Sequence, residues 1–365
     1  MRVNKFICPS PFSQKKVRDC GTAPRTPFFP FIRIAAICFL LLFLNSLYSS
    51  GQIATSSGYY TDKTGATTFT QYMELLTETF EHIFFSAHTG LDYVTFPTVD
   101  GVSSATSLSR KKGENNTKRY EASSSLQFKS DPYLVATTAD ISQEENFESF
   151  GVQPRFAYAT QVWSFQTAFR YQKDNFKVTP FFTNYSMQTL STSLFLSRVI
   201  NAKLTTGAFF RFIQESGDFR DFLLGKAETG VAFHIPSEKK TYISGLNAAV
   251  ALSANQTIKL TSNFFYDSWT QTGFSAESQF YQRLYSDFWL KLRYRYYLQQ
   301  PSKYIPSLTE NTPGIYLQYH QQTAHEIGAE LFYTDPFYEI FFRYDRRLQE
   351  LLPFHVFQLG LARKW

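Results

Sequence analysis

Six ionisable residues fall close together in a spacing that could do electrostatic work: Asp267, Glu277, Arg283, Lys291, Arg293 and Arg295. Lys291, Arg293 and Arg295 alternate with Leu290, Leu292, Tyr294 and Tyr296. An extended strand therefore puts the three cations on one face and the apolar residues on the other. Fixed charges along the wall of a narrow passage select among permeating ions. The same set also suits an acid–base ladder, in which each cation meets a carboxylate and no net field remains. Either arrangement needs the charges turned away from lipid, where a charge at mid-membrane costs about 2–4 kcal/mol.

Catalytic chemistry finds no comparable footing. The chain has no phosphate-cradling glycine loop, no Gly-x-Ser-x-Gly elbow and no His-Glu-x-x-His zinc helix. His325-Glu326 lacks a second histidine four residues on, and His82, His88, His234, His320 and His355 are scattered. The three cysteines, Cys8, Cys20 and Cys38, all lie in the N-terminal segment. The rest of the chain thus offers no thiol nucleophile, thiolate metal site or disulfide frame. No catalytic residue, metal or cofactor is assigned. An enzyme acting through a few rim Asp, His or Ser residues stays as a second alternative.

The elements that carry these charges read as strands. Trp163, Phe165, Thr167, Phe169 and Tyr171 alternate with Ser164, Gln166, Ala168, Arg170 and Gln172. Leu204, Thr206, Ala208, Phe210 and Phe212 share a face, as do Ile258, Leu260, Phe264 and Tyr266. No 3.6-residue period competes. Such segments run ten to twelve residues, the roughly 9–11 that a tilted strand needs to cross a bilayer, against about 5–6 for an ordinary soluble strand. Aromatic residues make up 18% of the chain, yet the mean hydropathy is −0.26. That combination is expected when lipid-facing and lumen-facing residues alternate. Beyond the N-terminal segment no apolar run approaches the ~18 residues of a membrane helix.

Both ends of the chain point the same way. In the last eleven residues Phe357, Leu359 and Leu361 alternate with Gln358, Gly360 and Ala362, and the sequence closes on Trp365. A terminal aromatic with apolar residues at every second position resembles the assembly signal of outer-membrane barrels, although Arg363 departs from it. At the other end, Ile34–Leu44 is an unbroken apolar run preceded by seven basic residues and followed by Ser49-Ser50-Gly51. This is the layout of a secretory signal peptide over 1–51, cut near Gly51/Gln52. Residues 1–51 hold seven basic residues and one acidic residue, so the remainder carries 36 − 7 = 29 basic against 30 − 1 = 29 acidic. With the +6 confined to the leader, a nucleic-acid partner has no electrostatic basis.

Connections between strands divide into two kinds. Ser130-Asp131-Pro132, Ile200-Asn201-Ala202, Ala254-Asn255-Gln256 and Tyr285-Ser286-Asp287 are tight turns. Long polar connections fall at about 98–118, 174–187, 215–240 and 300–313. Short turns on one rim and long loops on the other are the asymmetry of an outer-membrane barrel. The pattern gives strands near 83–97, 119–129, 133–143, 150–160, 162–173, 188–199, 203–214, 241–253, 257–267, 273–283, 288–299, 314–321, 326–333, 338–346 and 354–365. That odd count calls for a further strand at 66–78 or for one bent element around Asp335-Pro336.

Val99-Asp100-Gly101-Val102-Ser103-Ser104-Ala105-Thr106, followed by Arg119-Tyr120-Glu121, resembles the opening of an uncharacterised family of bacterial outer-membrane barrels. A second block agrees: Tyr266-Asp267-Ser268-Trp269, Ser275, Glu277, and Leu292 through Tyr297 with Gln299. After that glutamine the family has a small residue and a Phe-Tyr pair, where this chain has Pro301-Ser302-Lys303-Tyr304. The resemblance implies family-motif roles for Asp100, Gly101, Ser103, Ser104, Asp267 and Trp269. It also implies an association with periplasmic redox proteins, since members neighbour genes for flavin attachment and thioredoxin-like proteins.

The expectation is an all-β, transmembrane antiparallel β-barrel of 14–16 strands in the bacterial outer membrane, spanning 52–365, with 98–118 a plug or a long loop. Asp267, Glu277, Arg283, Lys291, Arg293 and Arg295 would line the lumen. Phe357, Leu359, Leu361 and Trp365 would form the assembly signal. The expected function is a pore or transport component for small polar solutes. The alternative is a non-conducting scaffold or sheath for a periplasmic or surface partner. Expected partners are outer-membrane lipid, the barrel-assembly machinery and an unidentified periplasmic protein.

Overall fold

The computed structural model describes residues 51–62, 67–95, 116–144, 147–176, 185–217, 236–304, 322–349 and 354–364. They form sixteen antiparallel strands: β1 (Gly51–Asp62), β2 (Thr67–Phe80), β3 (Ile83–Thr95), β4 (Asn116–Ser130), β5 (Tyr133–Glu144), β6 (Phe147–Ala159), β7 (Trp163–Phe176) and β8 (Tyr185–Asn201), then β9 (Leu204–Gly217), β10 (Glu238–Ser253), β11 (Gln256–Asp267), β12 (Thr272–Tyr285), β13 (Phe288–Gln299), β14 (Gln322–Thr334), β15 (Tyr338–Gln349) and β16 (Phe354–Lys364). Each strand pairs with its sequence neighbours, and β1 pairs with β16 from Gln52↔Lys364 to Asp62↔Phe354, closing the barrel. Closure leaves no sheet edge, so every strand has two hydrogen-bonded neighbours, as a chain in hydrocarbon requires. No helix among the described residues is long and apolar enough to cross a membrane.

The count resolves the odd strand number. The 66–78 segment is a strand (β2), and another, β1, precedes it. Sequence periodicity misses β1 because Thr55, Ser57 and Gly58 dilute its alternation. Asp335-Pro336-Phe337 is a tight turn between β14 and β15, not a bend within one element. Its Asp335 carboxylate accepts from the N–H groups of Phe337 and Tyr338, both at 2.7 Å. The strand expected at 314–321 and the loop at 98–118 lie outside the described residues, apart from 116–118, which belong to β4.

The two faces have opposite chemistry. One carries exposed apolar side chains: Leu126, Leu194, Leu246, Leu292 and Ile327 at mid-height. At the tight-turn rim that face ends in Phe128, Tyr133, Trp163 and Phe288, and at the opposite rim in Phe69, Tyr120, Phe150 and Tyr266. An apolar band between two aromatic girdles is the lipid-facing surface of a membrane barrel. Phe357, Leu359 and Leu361 belong to this face, at 40%, 56% and 47% exposure, while Gly360 and Ala362 are buried on the other. Trp365 lies outside the described residues. The second face is polar, and side chains on it reach each other across an intervening strand, which only the concave side of a closed barrel permits.

Candidate functional site

The polar inner wall of β13–β15 holds a ladder of ion pairs. Lys291 Nζ lies 3.2 Å from Glu330, and Arg293 Nη2 lies 2.8 Å from Asp345 and 3.8 Å from Glu326. Arg295 and Arg347 both lie 3.7 Å from the same Glu326, and Arg343 Nε contacts Asp345. Five cations thus face three carboxylates in this cluster. The carboxylates are nearly covered, with side-chain exposures of 13% for Glu326 and 7% for Asp345, whereas Arg295 keeps 35%. Pairing therefore saturates the acids and leaves positive charge facing the lumen.

The Arg293–Asp345 bond leaps from β13 to β15 over Gly328 of β14. Glycine is required there, since a Cβ at 328 would occupy the position of the Asp345 carboxylate. A matching device sits on β5–β7. Arg170 Nη2 donates to Asp140 at 2.9 Å across Gly151, whose missing Cβ would lie 2.6 Å from that carboxylate. In a ring of sixteen strands, β6 and β14 are separated by eight, so the two glycine-bridged pairs stand on opposite walls.

Strand parity sorts the remaining inward charges. On β1–β8, Glu74, Glu78, Asp92, Glu121, Asp140, Glu144 and Asp174 face inward with Arg119, Lys129, Arg155 and Arg170: 4 − 7 = −3 among residues whose side chains are described. On β9–β16, Arg211, Lys239, Lys259, Arg283, Lys291, Arg293, Arg295, Arg343, Arg347 and Lys364 face inward with Glu215, Asp267, Glu277, Glu326, Glu330, Glu339 and Asp345: 10 − 7 = +3. The described wall is neutral in sum and polarised across its diameter.

The six charges singled out in the sequence thus share the inner parity but not one site. Lys291, Arg293 and Arg295 form the ladder, with acids on β14 and β15 as their partners. Glu277 stands opposite Arg295 in register and accepts from Gln279. Arg283 sits at the tight-turn end, where its guanidinium donates to the Ser286 carbonyl and lies 5.7 Å from the Trp289 ring centre.

Asp267 belongs to a separate cluster at the other rim. Its Oδ1 accepts from the backbone N–H groups of Trp269 and Gln271, both at 2.9 Å, and its Oδ2 lies 3.4 Å from Lys239 Nζ. Those bonds close the tight 268–271 connection and drive Trp269 into the protein, with no exposed surface. The indole Nε1 donates to the Glu238 carbonyl at 3.1 Å, Lys239 lies 5.5 Å from the ring centre, and Tyr304 meets it edge-on at 6.0 Å. Ser302 Oγ and the Lys303 N–H both donate to the Trp269 carbonyl at 3.2 Å, fastening the start of the next long connection over the turn. The cluster is a rigid lip at the loop-side mouth. Asp100, Gly101, Ser103 and Ser104 lie outside the described residues.

The sequence reading missed Glu326, Glu330 and Asp345, and with them the second half of the ladder. The signal available was their inward parity on β14 and β15, three carboxylates set against the cations of β13. Among the described residues no group of three or more His, Cys, Asp or Glu is arranged to hold a metal ion.

Among known proteins, no family model matches the chain and no curated protein is similar to it. Solved structures are similar in fold. A bacterial polysaccharide outer membrane secretin aligns over 87% of this chain and 98% of its own, with a TM-score of 0.51 at 8% identity. OccD1 (OprD) aligns over 87% and 95%, with a TM-score of 0.43 at 12% identity. The siderophore receptor PirA from Acinetobacter baumannii aligns over 82% of this chain, with a TM-score of 0.46 at 10% identity. The chain spans about half of that receptor, 52% of its length. The secretin likeness establishes the fold of an outer-membrane β-barrel.

Proposed function

We propose that this chain is a bacterial outer-membrane pore or transport component for small polar solutes. The observation that carries the reading is the inner wall: at sixteen strands a barrel is wide enough to leave an aqueous passage, and this one lines it with charges split −3 against +3. Fixed charges of that kind act on a solute at close range, where water screens them least. A wall that served only to fill space would have no use for uncompensated lysine and arginine.

Residues 1–51 act as the export signal in this reading. A cut after Gly51 keeps every β1–β16 register pair, the first being Gln52↔Lys364. Phe357, Leu359, Leu361 and Trp365 serve as the assembly signal for the insertion machinery. Kinship with the uncharacterised barrel family rests on the motif residues that the sequence shares with it. Association with a periplasmic redox partner rests on that kinship alone.

The test is single-channel conductance of the refolded 52–365 chain in a planar bilayer. Stable conductance is expected, with preference moving toward cations when Lys291, Arg293 and Arg295 are all changed to Gln. A folded, inserted and silent barrel would overturn the pore reading in favour of a scaffold or a rim enzyme.

A further inference from the structure

The lipid-facing surface of β11–β15 is not a smooth apolar wall. A groove of about 610 Å³ runs diagonally across it, from Ile258 and Phe280 past Leu292 and Ile327 to Tyr344 and Arg346. Ala329 and Ser278 form its floor, since their short side chains leave the space that neighbouring leucine and isoleucine residues enclose. Its lining is mostly apolar, from Ile258, Phe280, Leu292, Ile327 and Ala329. Its upper end, near the long-loop rim, is closed by a guanidinium.

Arg346 faces outward, opposite Ile327 and His355 in register, and is exposed. It pairs with no carboxylate among the described residues, unlike Arg343 and Arg347 of the same strand, which face inward to Asp345 and Glu326. Two histidines flank it. His355 Nδ1 is held 2.9 Å from the Tyr344 hydroxyl, and His325 Nδ1 the same distance from the Tyr294 hydroxyl. An outward arginine close to the rim sits where a lipid-face charge costs least and where an anionic headgroup can meet it. The aromatic side chains around it mark the level of lipid headgroups.

We infer that this surface binds one phosphorylated, multi-acyl lipid of the leaflet at the long-loop rim, with an acyl chain in the groove and a phosphate on Arg346. Guanidinium binds phosphate through two parallel hydrogen bonds, which a lysine does not reproduce. The inference rests on the membrane placement proposed above, but not on conduction.

Native mass spectrometry of the refolded 52–365 barrel in detergent tests it. The probe is a synthetic hexa-acyl disaccharide bisphosphate, with its dephosphorylated form as comparison. The wild type should retain one bisphosphate lipid, and the dephosphorylated form should bind at least about tenfold more weakly, about 1.4 kcal/mol. Arg346→Ala should lose the phosphate preference and Arg346→Lys recover only part of it. Ala329→Phe, which fills the groove, should weaken both lipids equally. Lys173→Ala, another outward cation near the same rim on β7, should bind like the wild type. Equal binding by wild type, R346A and A329F would overturn the site, as would indifference to the phosphates. A chain that fails to insert into lipid vesicles would sink the membrane reading instead, an outcome distinct from an inserted barrel that retains no lipid.

Discussion

Asp267 and Asp345 are both carboxylates with almost no exposed surface, 1% and 5%, and they are satisfied in opposite ways. Asp267 is capped locally by N–H groups two and four residues on, with Lys239 as its counter-ion. Asp345 is met by Arg293, 52 residues away in sequence and two strands away in space, through a gap that one glycine leaves open. The first arrangement survives the loss of its neighbours because the backbone supplies the donors. The second depends on three strands in correct register. The lip is therefore a local motif that holds a shape, and the ladder a property of the assembled barrel that holds a charge pattern.

Substitution at Gly328 is the most severe way to break that contrast. Gly328→Val places methyl groups where Arg293 and Asp345 meet, and separating a buried pair costs about 3–5 kcal/mol. The folded fraction in urea titration of the refolded barrel should fall steeply, while Gly58→Val, where a Cβ meets nothing nearer than 3.7 Å, should be mild. Next in size, Leu292→Lys puts a charge on the lipid face at about 2–4 kcal/mol, and should impair insertion far more than Lys259→Ala, which removes an inward charge that lies outside the ladder. The reverse order would mean that the inner and outer faces are inverted. Asp267→Ala should cost about 1–3 kcal/mol by stranding two buried N–H groups. Its effect should stay at the lip: Trp269 fluorescence would shift toward the solvent-exposed wavelength while the ladder's ion selectivity is unchanged. Asp345→Asn should do the opposite, moving selectivity toward anions without disturbing Trp269.

The smallest effect concerns the β14–β15 turn. The Tyr333 hydroxyl, together with the N–H groups of Phe337 and Tyr338, holds the Asp335 carboxyl below its ordinary pKa. A depressed carboxylate stabilises the fold fully above the ordinary carboxylate range, and the contribution disappears as pH falls through the lowered value. Hydrogen exchange at Phe337 and Tyr338 should therefore speed up, relative to the rest of the barrel, only in strong acid. In Asp335→Asn that acid dependence should vanish.

Much of the wall was readable from the chain. Alternation on β7, β13 and β16 gives the inner and outer face of each, and the four tight turns stand where turn residues predict them. Lys291, Arg293 and Arg295 could be placed on the polar face from Leu292 and Tyr294 alone. β1 escaped because a strand that faces lipid with Thr55 and Ser57 carries little period-two signal. The partners of the ladder escaped for a deeper reason: Glu326, Glu330 and Asp345 are ordinary inward acids until β14 and β15 are laid beside β13. The −3/+3 division is harder still, because it exists only when parity is known for every strand and the ring is closed. Asp267 was legible as an inward charge, but not as part of a rim cluster with Trp269 apart from the ladder.

Because the strand number is even, β1 begins and β16 ends at the same rim, with Gln52 and Lys364 directly opposite each other. The chain could therefore be rewired with little change of geometry. A linker of a few residues from 364 to 52 would make the order circular, and new ends could be cut at the short 145–146 connection on the far side. Such a permutant keeps every register pair of the seam while moving both termini across the membrane. It would report whether the barrel's final form depends on which strand closes the ring last.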